Sequence, residues 1–282
     1  TAVNDLKAKD LIYEKDGAIW FKATAAGRDM DRVIIKSSGE PTYRLPDIAY
    51  DWDKFDRNFD VIVDVFGADH MDAYPDVIAA IKSLDYDSDK IKVLIHQFVT
   101  VLKNGEPVKM STRKANFISL DSLIDEVGAD VTRFFFIMRS MNTHLNFDLD
   151  LAKEQSDANP VFYIQYAHAR CCNMLRRFEG DLNSIDESSL EHLKLDIETQ
   201  LINKLLTFPE VIRKSSQTLE PQNISNYLAE LASSFHSYYA KERVIDSDNK
   251  ILTEARIYLV NATRIVIRNG LKVLGVSAPE QM

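Results

Sequence analysis

Residues 61–102 have the sequence VIVDVFGADHMDAYPDVIAAIKSLDYDSDKIKVLIHQFVTVL, in which a helical pattern separates two apolar runs. The first run, at 61–66, is short and rich in β-branched side chains. Apolar residues three and four positions apart follow from about Pro75, and the second run covers 92–102. Strand, helix and strand in this order predict a parallel βαβ unit, whose length suits part of a doubly wound sheet.

The segment before this unit predicts strands and a turn. AIWF at 18–21, VIIK at 33–36 and PTYR at 41–44 are strand-like, and Ser-Ser-Gly-Glu at 37–40 favours a hairpin between the last two. Pro46 can occupy the first turn of a helix, because its missing N–H has no partner to lose there.

From about Leu120 the strand signals stop and helical patterns follow. Either Ser119 or Asp121 can cap a helix that uses residues 120–140, and a second, long helix starts at Pro160.

The clearest helical periodicity lies at 224–238, where apolar residues recur at three, four and seven positions. A further stripe at 252–266 ends near Gly270, which we expect to be a C-cap. The chain is therefore predicted to be α/β followed by all-α. Three parts are expected: an α/β domain at 1–118, a connecting helical segment at 119–158 and a helical bundle at 159–282.

The composition limits the classes of protein. The 282 residues are 45% apolar and 27% charged, with a formal net charge of -9. No eighteen apolar residues run together and residues 1–10 lack a secretory signal, so we expect a cytoplasmic protein without a membrane span. Cys171 and Cys172 are the only cysteines, which excludes a disulfide framework and makes a cysteine-rich zinc site unexpected. The acidic balance argues against nonspecific DNA binding, although a local phosphate site remains compatible with it.

The string VKMSTRKANF at 108–117 is the most specific in the chain. It follows an apolar run and a turn-forming Lys-Asn-Gly-Glu-Pro segment at 103–107, so its cations are expected on a loop beyond a strand end, where α/β sheets bind ligands. Such cations can neutralise charge that develops on a phosphate during displacement. The alternative is a solvated basic loop without a ligand.

KMSTR resembles the KMSKS-type loop of class I aminoacyl-tRNA synthetases. The surrounding pieces match the arginyl-tRNA synthetase family in order and spacing over essentially the whole chain, from AIWF to the terminal NGLKVLGVSAPEQM. The resemblance implies the second half of a class I nucleotide-binding, Rossmann-like parallel sheet, followed by a helical-bundle anticodon-binding domain.

The resemblance also implies an activity. The intact enzyme would use ATP to convert arginine to arginyl-adenylate and would transfer it to tRNA(Arg), with Mg²⁺ offsetting phosphate charge. No zinc, membrane or DNA is implied, and the intact enzyme is expected to be a monomer. None of the six histidines belongs to a His-x-Gly-His signature, so we expect a C-terminal fragment that is inactive alone. The alternative is a freestanding tRNA-binding module without catalysis.

Asp47 is the residue on which arginine specificity is expected to depend. Its carboxylate can accept two coplanar N–H bonds from a guanidinium, whereas the structural alternative is an acid that favours a helix N-terminus. The resemblance assigns arginine binding to Tyr43, Asp47 and His70, ATP binding to Gly67, Asp69, Lys109 and Met110, and catalysis to Lys109, Ser111 and Arg113. The chain departs from the family pattern at Met71, Asp72 and Thr112. A single histidine beside one aspartate is weak as a metal site, so no protein-bound metal is predicted.

The resemblance places anticodon-loop contacts at Tyr239 and Met282. Tyr166, His168 and Arg170 lie on the first helix of the bundle and could also face the RNA, since unpaired bases stack on flat side chains. The alternative for the aromatic stripe is a hydrophobic core, which we expect for Phe235 and Tyr238.

Overall fold

A computed structural model of the chain describes residues 2–108 and 118–282. These residues form two compact units. The first runs to Phe98 and includes Met141–Thr143, which joins it through a hydrogen bond from the Gln97 N–H to the Met141 carbonyl. The second consists of Val99–Ser140 and His144–Met282.

The first unit contains two small sheets and three helices among its described residues. Its elements are α1 (Ala2–Ala8), β1 (Ile12–Lys15), β2 (Ala18–Phe21), β3 (Arg32–Ile35), α2 (Arg44–Asp56), β4 (Ile62–Gly67), α3 (Tyr74–Ser83) and β5 (Ile91–His96). Strands β1, β2 and β3 pair antiparallel in that order, and β4 pairs parallel with β5 in the register Ile62↔Ile91 to Gly67↔His96. The predicted parallel βαβ unit is confirmed.

The apolar faces of α2 and α3 pack with both sheets in one core. Phe21, Ile34, Ile48, Ile62 and Ile81 are among its buried members. Burying this surface holds α2 and β4 together, and the candidate site of this unit lies on these two elements.

The predicted hairpin after β3 is shorter than the sequence suggests. Its turn is closed by a hydrogen bond from the Lys36 N–H to the Glu40 carbonyl and by a single antiparallel bridge between Ile35 and Pro41. PTYR is therefore not a strand, because α2 begins at Arg44 within it. Pro46 lies in the first turn of α2, as predicted.

The second unit combines three short strands with eight α-helices among its described residues. Its elements are β6 (Val99–Lys103), β7 (Glu106–Pro107), α4 (Leu120–Val127), α5 (Ala129–Ile137), β8 (Leu145–Asp148), α6 (Leu149–Lys153), α7 (Pro160–Arg177), α8 (Asp196–Leu206), α9 (Phe208–Thr218), α10 (Gln222–Lys241) and α11 (Lys250–Leu274). Strand β6 lies between β7, antiparallel, and β8, parallel. Asn104 and Gly105, with φ of 52° and 75°, form the tight turn between β6 and β7.

Three expectations about the chain from residue 92 onwards are wrong. The apolar run at 92–102 is not one strand but two, β5 and β6, separated at Gln97 and Phe98. Strand signals do not stop at Leu120, because β8 follows α5 and pairs with β6. Gly270 is not a C-cap, since α11 continues to Leu274 and ends at Gly275 in the left-handed region.

The starts of α4 and α7 agree with the sequence. The Ser119 hydroxyl accepts a hydrogen bond from the Ser122 N–H at the start of α4, which selects Ser119 over Asp121 as the cap. Asn159 caps α7 in the same way, one residue before Pro160. In the part of the chain that the structure describes, no helix combines the length and the hydrophobicity needed to cross a bilayer.

Candidate functional site

One face of α2 carries ionisable side chains that meet the end of β4. Asp47, Asp51 and Lys54 recur at intervals of four and three residues, so they lie on the same side of the helix. Strand β4 supplies Asp64, and His70 follows three residues after that strand ends. The site is therefore built by packing α2 on β4.

Lys54 joins the two buried carboxylates of this cluster. Its Nζ lies 2.9 Å from Asp51 Oδ1 and also pairs with Asp64. Burial raises the pKa of Asp51 to about 6, against the opposing pull of Lys54. The lysine thus compensates charge that the interior of the unit would otherwise leave unpaired.

Lys54 forms no ion pair with Asp47, so the Asp47 carboxylate is available to another cation. Its carboxylate is half-buried and accepts no side-chain hydrogen bond from the residues that the structure describes. Burial raises the pKa of Asp47, the charge of His70 opposes this shift, and Asp64 adds to it. A half-buried acid without a bonded partner can accept a forked guanidinium.

The structure brings His70 close enough to Asp47 to influence its pKa, and it places Tyr43 at the N-cap position of α2, four residues before Asp47. The Tyr43 side chain is 82% exposed. The His70 ring stacks on Phe66 with the ring centroids 5.6 Å apart. Asp47 is also in the first turn of α2, so the helix N-terminal role and ligand binding are compatible.

Gly67 and Asp69 lie at the carboxyl end of β4. A Cβ at Gly67 would come within 2.5 Å of Asp69 Oδ1, so glycine leaves that space to the carboxylate. Asp69 Oδ2 lies 3.9 Å from His70 Nε2. Among the described residues, no group of three or more His, Cys, Asp or Glu side chains could hold a metal ion. The expected residues Lys109, Met110, Ser111 and Arg113 lie outside the described part of the chain.

Sequence reasoning missed Asp51, Lys54 and Asp64. The signal for the first two was available, because they share the helix face of Asp47. Asp64 was hidden in an apolar run: Asp64 is buried, while its neighbours Val63 and Val65 are exposed. Alternation along the strand would have placed the aspartate on one face and the valines on the other.

A second candidate site lies in the helical unit. A cavity of about 540 Å³ is lined by Tyr166 and Arg170 of α7, Tyr239 of α10 and the terminal Met282. Asn173, Arg176 and Glu280 also line it. The structure thus brings four of the five residues expected to face tRNA to one place, and His168 is the exception.

Arg170 is held between two aromatic rings in this cavity. Its guanidinium carbon lies 4.5 Å from the Tyr166 ring centroid and 4.4 Å from that of Tyr239. The same guanidinium donates to the Tyr166 hydroxyl at 3.0 Å and to His236 Nδ1 at 2.9 Å. Burial lowers the pKa of His236 and the charge of Arg170 lowers it further, so a neutral His236 accepts this bond.

The last residues of the chain are fixed on α7. His168 Nδ1 lies 2.9 Å from the Pro279 carbonyl, Gln165 donates to the Ser277 carbonyl at 3.0 Å, and Arg176 donates to the Glu280 carbonyl at 3.3 Å. His168 is buried, so the expectation that it could face RNA is wrong: its side chain anchors the terminal segment instead. Phe235 and Tyr238 are fully buried in the core, as predicted.

Two family models together match the whole chain. One, described as "tRNA synthetases class I (R), catalytic domain", matches residues 1–166, and the other, described as "DALR anticodon binding domain", matches residues 164–282. The chain belongs to the class I tRNA synthetase (R) family. The predicted fold class, part of a class I catalytic domain followed by a helical anticodon-binding domain, is confirmed.

Comparison with individual proteins supports the same family assignment. The chain is 52% identical over 271 residues to an arginine–tRNA ligase of Salinibacter ruber, covering 96% of this chain and 48% of that protein. It is 53% identical over 286 residues to one of Chlorobium phaeobacteroides, covering 99% and 52%. A solved structure titled as an arginyl-tRNA synthetase of Campylobacter jejuni has a TM-score of 0.90 at 32% identity, covering all of this chain and 61% of that one. Thermus thermophilus arginyl-tRNA synthetase shares the fold, with a TM-score of 0.81 at 20% identity and coverage of 100% and 57%.

The chain spans about half the length of the curated relatives it matches. It therefore corresponds to one part of such a synthetase, as the lack of a His-x-Gly-His signature led us to expect. The alternative of a freestanding RNA-binding module is not favoured, because the catalytic-domain model covers residues 1–166.

Proposed function

We propose that the intact protein is an arginine–tRNA ligase, to which this chain contributes the arginine-binding helix and the anticodon-binding bundle. The observation that carries the proposal is the convergence of Tyr166, Arg170, Tyr239 and Met282 on one cavity. Asp47 supports it independently, as a half-buried carboxylate without a bonded cation in the described residues.

In the proposed reaction, Asp47 accepts two N–H bonds from the substrate guanidinium, with Tyr43 and His70 beside it. The arginine carboxylate attacks the α-phosphorus of ATP, and the bond to pyrophosphate breaks to give arginyl-adenylate. A ribose hydroxyl of the tRNA terminus then attacks the arginyl carbonyl and AMP leaves. Lys109, Ser111 and Arg113 are proposed to stabilise the phosphate charge of the first step, together with Met110, Gly67 and Asp69 at ATP.

Mg²⁺ is proposed to accompany the ATP phosphates, where it would offset negative charge. The described residues offer it no cluster of three carboxylate or histidine ligands. We propose that phosphate oxygens and water are its ligands as far as this chain is concerned, and we propose no zinc.

In the bundle, an unpaired anticodon base is proposed to stack beside Tyr166 and Tyr239, with Arg170 pre-oriented by both rings. Rings held at fixed spacing lose little freedom when a base enters, which favours binding. Met282 is proposed to close the end of this cavity because the terminal segment is anchored on α7.

The remaining expectations form part of the same proposal. They are the domain division at 1–118, 119–158 and 159–282, a cytoplasmic location, a monomeric intact enzyme and the absence of DNA and membrane partners. The proposal also includes inactivity of this chain in isolation.

The arginine site is tested in the intact enzyme with Asp47→Asn. The variant should weaken arginine binding by about 2–5 kcal/mol, the cost of unpairing a buried charge partner. Asp53→Asn is the matched control, since Asp53 lies on the exposed side of α2 beside Arg57. Equal arginine dissociation constants for the two variants would remove Asp47 from the site.

The RNA site is tested on this chain with Tyr239→Ala and an anticodon stem-loop of tRNA(Arg). Loss of one stacking ring should weaken binding by about 1–3 kcal/mol. Tyr258→Ala is the control, because Tyr258 on α11 is 41% exposed and Tyr239 is 39% exposed. If both variants bind the stem-loop as well as the parent chain, the cavity is not the anticodon site.

A further inference from the structure

One buried aspartate in the first unit organises three arginines. Asp76, in the first turn of α3, is 1% exposed. Arg28 Nε donates to its Oδ1 at 2.8 Å, and Arg32 Nε and Arg44 Nε donate to its Oδ2 at 2.9 and 2.8 Å. The three arginines come from the segment before β3, from β3 and from the start of α2.

The charges of this group do not balance. Asp76 compensates one cation, and Asp29 bonds Arg32 at 2.8 Å and compensates a second. One positive charge is left over in a cluster where a single arginine would have balanced the charge of the buried carboxylate. Like charges at short range repel each other, and an anionic ligand would offset this repulsion.

The terminal nitrogens of Arg28 and Arg44 are available to a ligand. Both arginines use Nε for Asp76, and their Nη atoms have no partner among residues 2–108 and 118–282. Their side chains are 31% and 26% exposed. A guanidinium fixed through Nε presents a rigid fork of N–H donors, which matches the oxygens of a phosphate.

The absence of stacking distinguishes these arginines from Arg170. In the described part of the chain, no aromatic ring lies against the guanidinium of Arg28 or Arg44, whereas Arg170 lies between two tyrosine rings. Contacts without an aromatic platform suit the backbone of a nucleic acid rather than its bases. Because the formal net charge of the chain is -9, a polyanion is attracted only where cations cluster locally.

We propose that Arg28 and Arg44, fixed by Asp76, form a phosphate-binding site that contacts the RNA backbone. This site rests on the proposed function, since tRNA is the RNA that the protein would bind. It adds a contact on the first unit that is independent of the anticodon cavity.

The test compares an Arg28→Gln/Arg44→Gln variant of this chain with an Arg57→Gln/Arg213→Gln control. The control arginines are exposed and pair with Asp53 and Glu210. Binding of a tRNA(Arg) transcript and of its isolated anticodon stem-loop is measured over a series of KCl concentrations. We expect the first variant to reduce the transcript's slope of log K against log salt by about 1–2, with stem-loop binding unchanged. Equal slopes for the variant and its control would overturn the proposal.

An Arg28→Lys/Arg44→Lys variant separates charge from folding. It keeps both cations but loses the guanidinium fork, so it should restore the slope of log K against log salt; a slope that stays as low as that of the glutamine variant would overturn the proposal. Binding of ATP is measured in parallel, and a loss for ATP with unchanged transcript binding would assign the arginines to a nucleotide and overturn the RNA contact. If the chain binds an unrelated RNA duplex through these arginines but not the anticodon stem-loop, the proposed function fails while the phosphate site stands.

Discussion

Two buried tyrosines on α10 differ in the hydrogen bonding of their hydroxyl groups. Tyr227 Oη donates to the Lys204 carbonyl at 2.9 Å. Tyr238 Oη is buried and has no hydrogen-bond partner in the described residues. A buried polar atom without a partner costs free energy, whereas a bonded one contributes to stability.

Replacing these tyrosines by phenylalanine should therefore have opposite effects. Tyr238→Phe removes an unsatisfied hydroxyl and should raise the free energy of unfolding by about 1 kcal/mol. Tyr227→Phe removes one hydrogen bond to the Lys204 carbonyl, which keeps its bond from the Thr207 hydroxyl at 2.8 Å. The loss of that bond should lower the free energy of unfolding by about 1 kcal/mol. Urea unfolding followed by circular dichroism at 222 nm measures both, and a destabilised Tyr238→Phe protein would contradict the argument.

Some residues of the cluster on α2 and β4 have a local signal in the sequence and others do not. Asp47 stands out because it follows Pro46 at a helix start. Asp64 does not, because its burial depends on which face of β4 packs inward, and the run VIVDVF favours neither face over the other. Tertiary packing decides such cases.

At the scale of elements, the long helices were predicted from the sequence, whereas strand β8 and the break between β5 and β6 were not. The helices α7 and α10 have many residues on one apolar face, so their patterns at 160–178 and 224–238 predict them correctly. Strand β8 has only four residues and exists because it pairs with β6. The separation of β5 from β6 at Gln97 likewise depends on pairing with different partners, which a continuous apolar run cannot indicate.

Gly270 shows why the end of α11 was predicted too early. It lies inside the helix, and a Cβ there would come within 2.7 Å of Leu228 Cδ2. Leu228 is fully buried on α10, so it has little room to move. The glycine allows close packing of α10 and α11 and does not end the helix.

Gly270→Ala should consequently destabilise the bundle although alanine is the better helix former. Overpacking costs about 1–3 kcal/mol and the gain in helix propensity returns about 1 kcal/mol, so we expect a net loss of about 1 kcal/mol. Asn269→Ala is the control, because the adjacent Asn269 is exposed. In thermal unfolding followed by ellipticity at 222 nm, Gly270→Ala should have a lower Tm than the parent chain. Asn269→Ala should have a Tm equal to or above that of the parent chain.

At the scale of the whole molecule, the described residues form two hydrophobic cores without a shared member. The first has twelve buried residues, all in the first unit, and the second has twenty-eight, all in the second unit. Because hydrophobic stabilisation grows with the area buried, the first core is expected to be the weaker. Val63 and Val65 on β4 add exposed apolar surface to the same unit.

These two cores should unfold in separate transitions that different probes report. Both tryptophans, Trp20 and Trp52, lie in the first unit, whereas most helical residues lie in the second. In a urea titration, tryptophan fluorescence should therefore change at a lower midpoint than ellipticity at 222 nm, since non-coincident probes indicate that unfolding is not two-state. Gly270→Ala should then lower the ellipticity midpoint and leave the fluorescence midpoint in place. Coincident midpoints that shift together in the variant would mean that the two cores unfold as one cooperative unit.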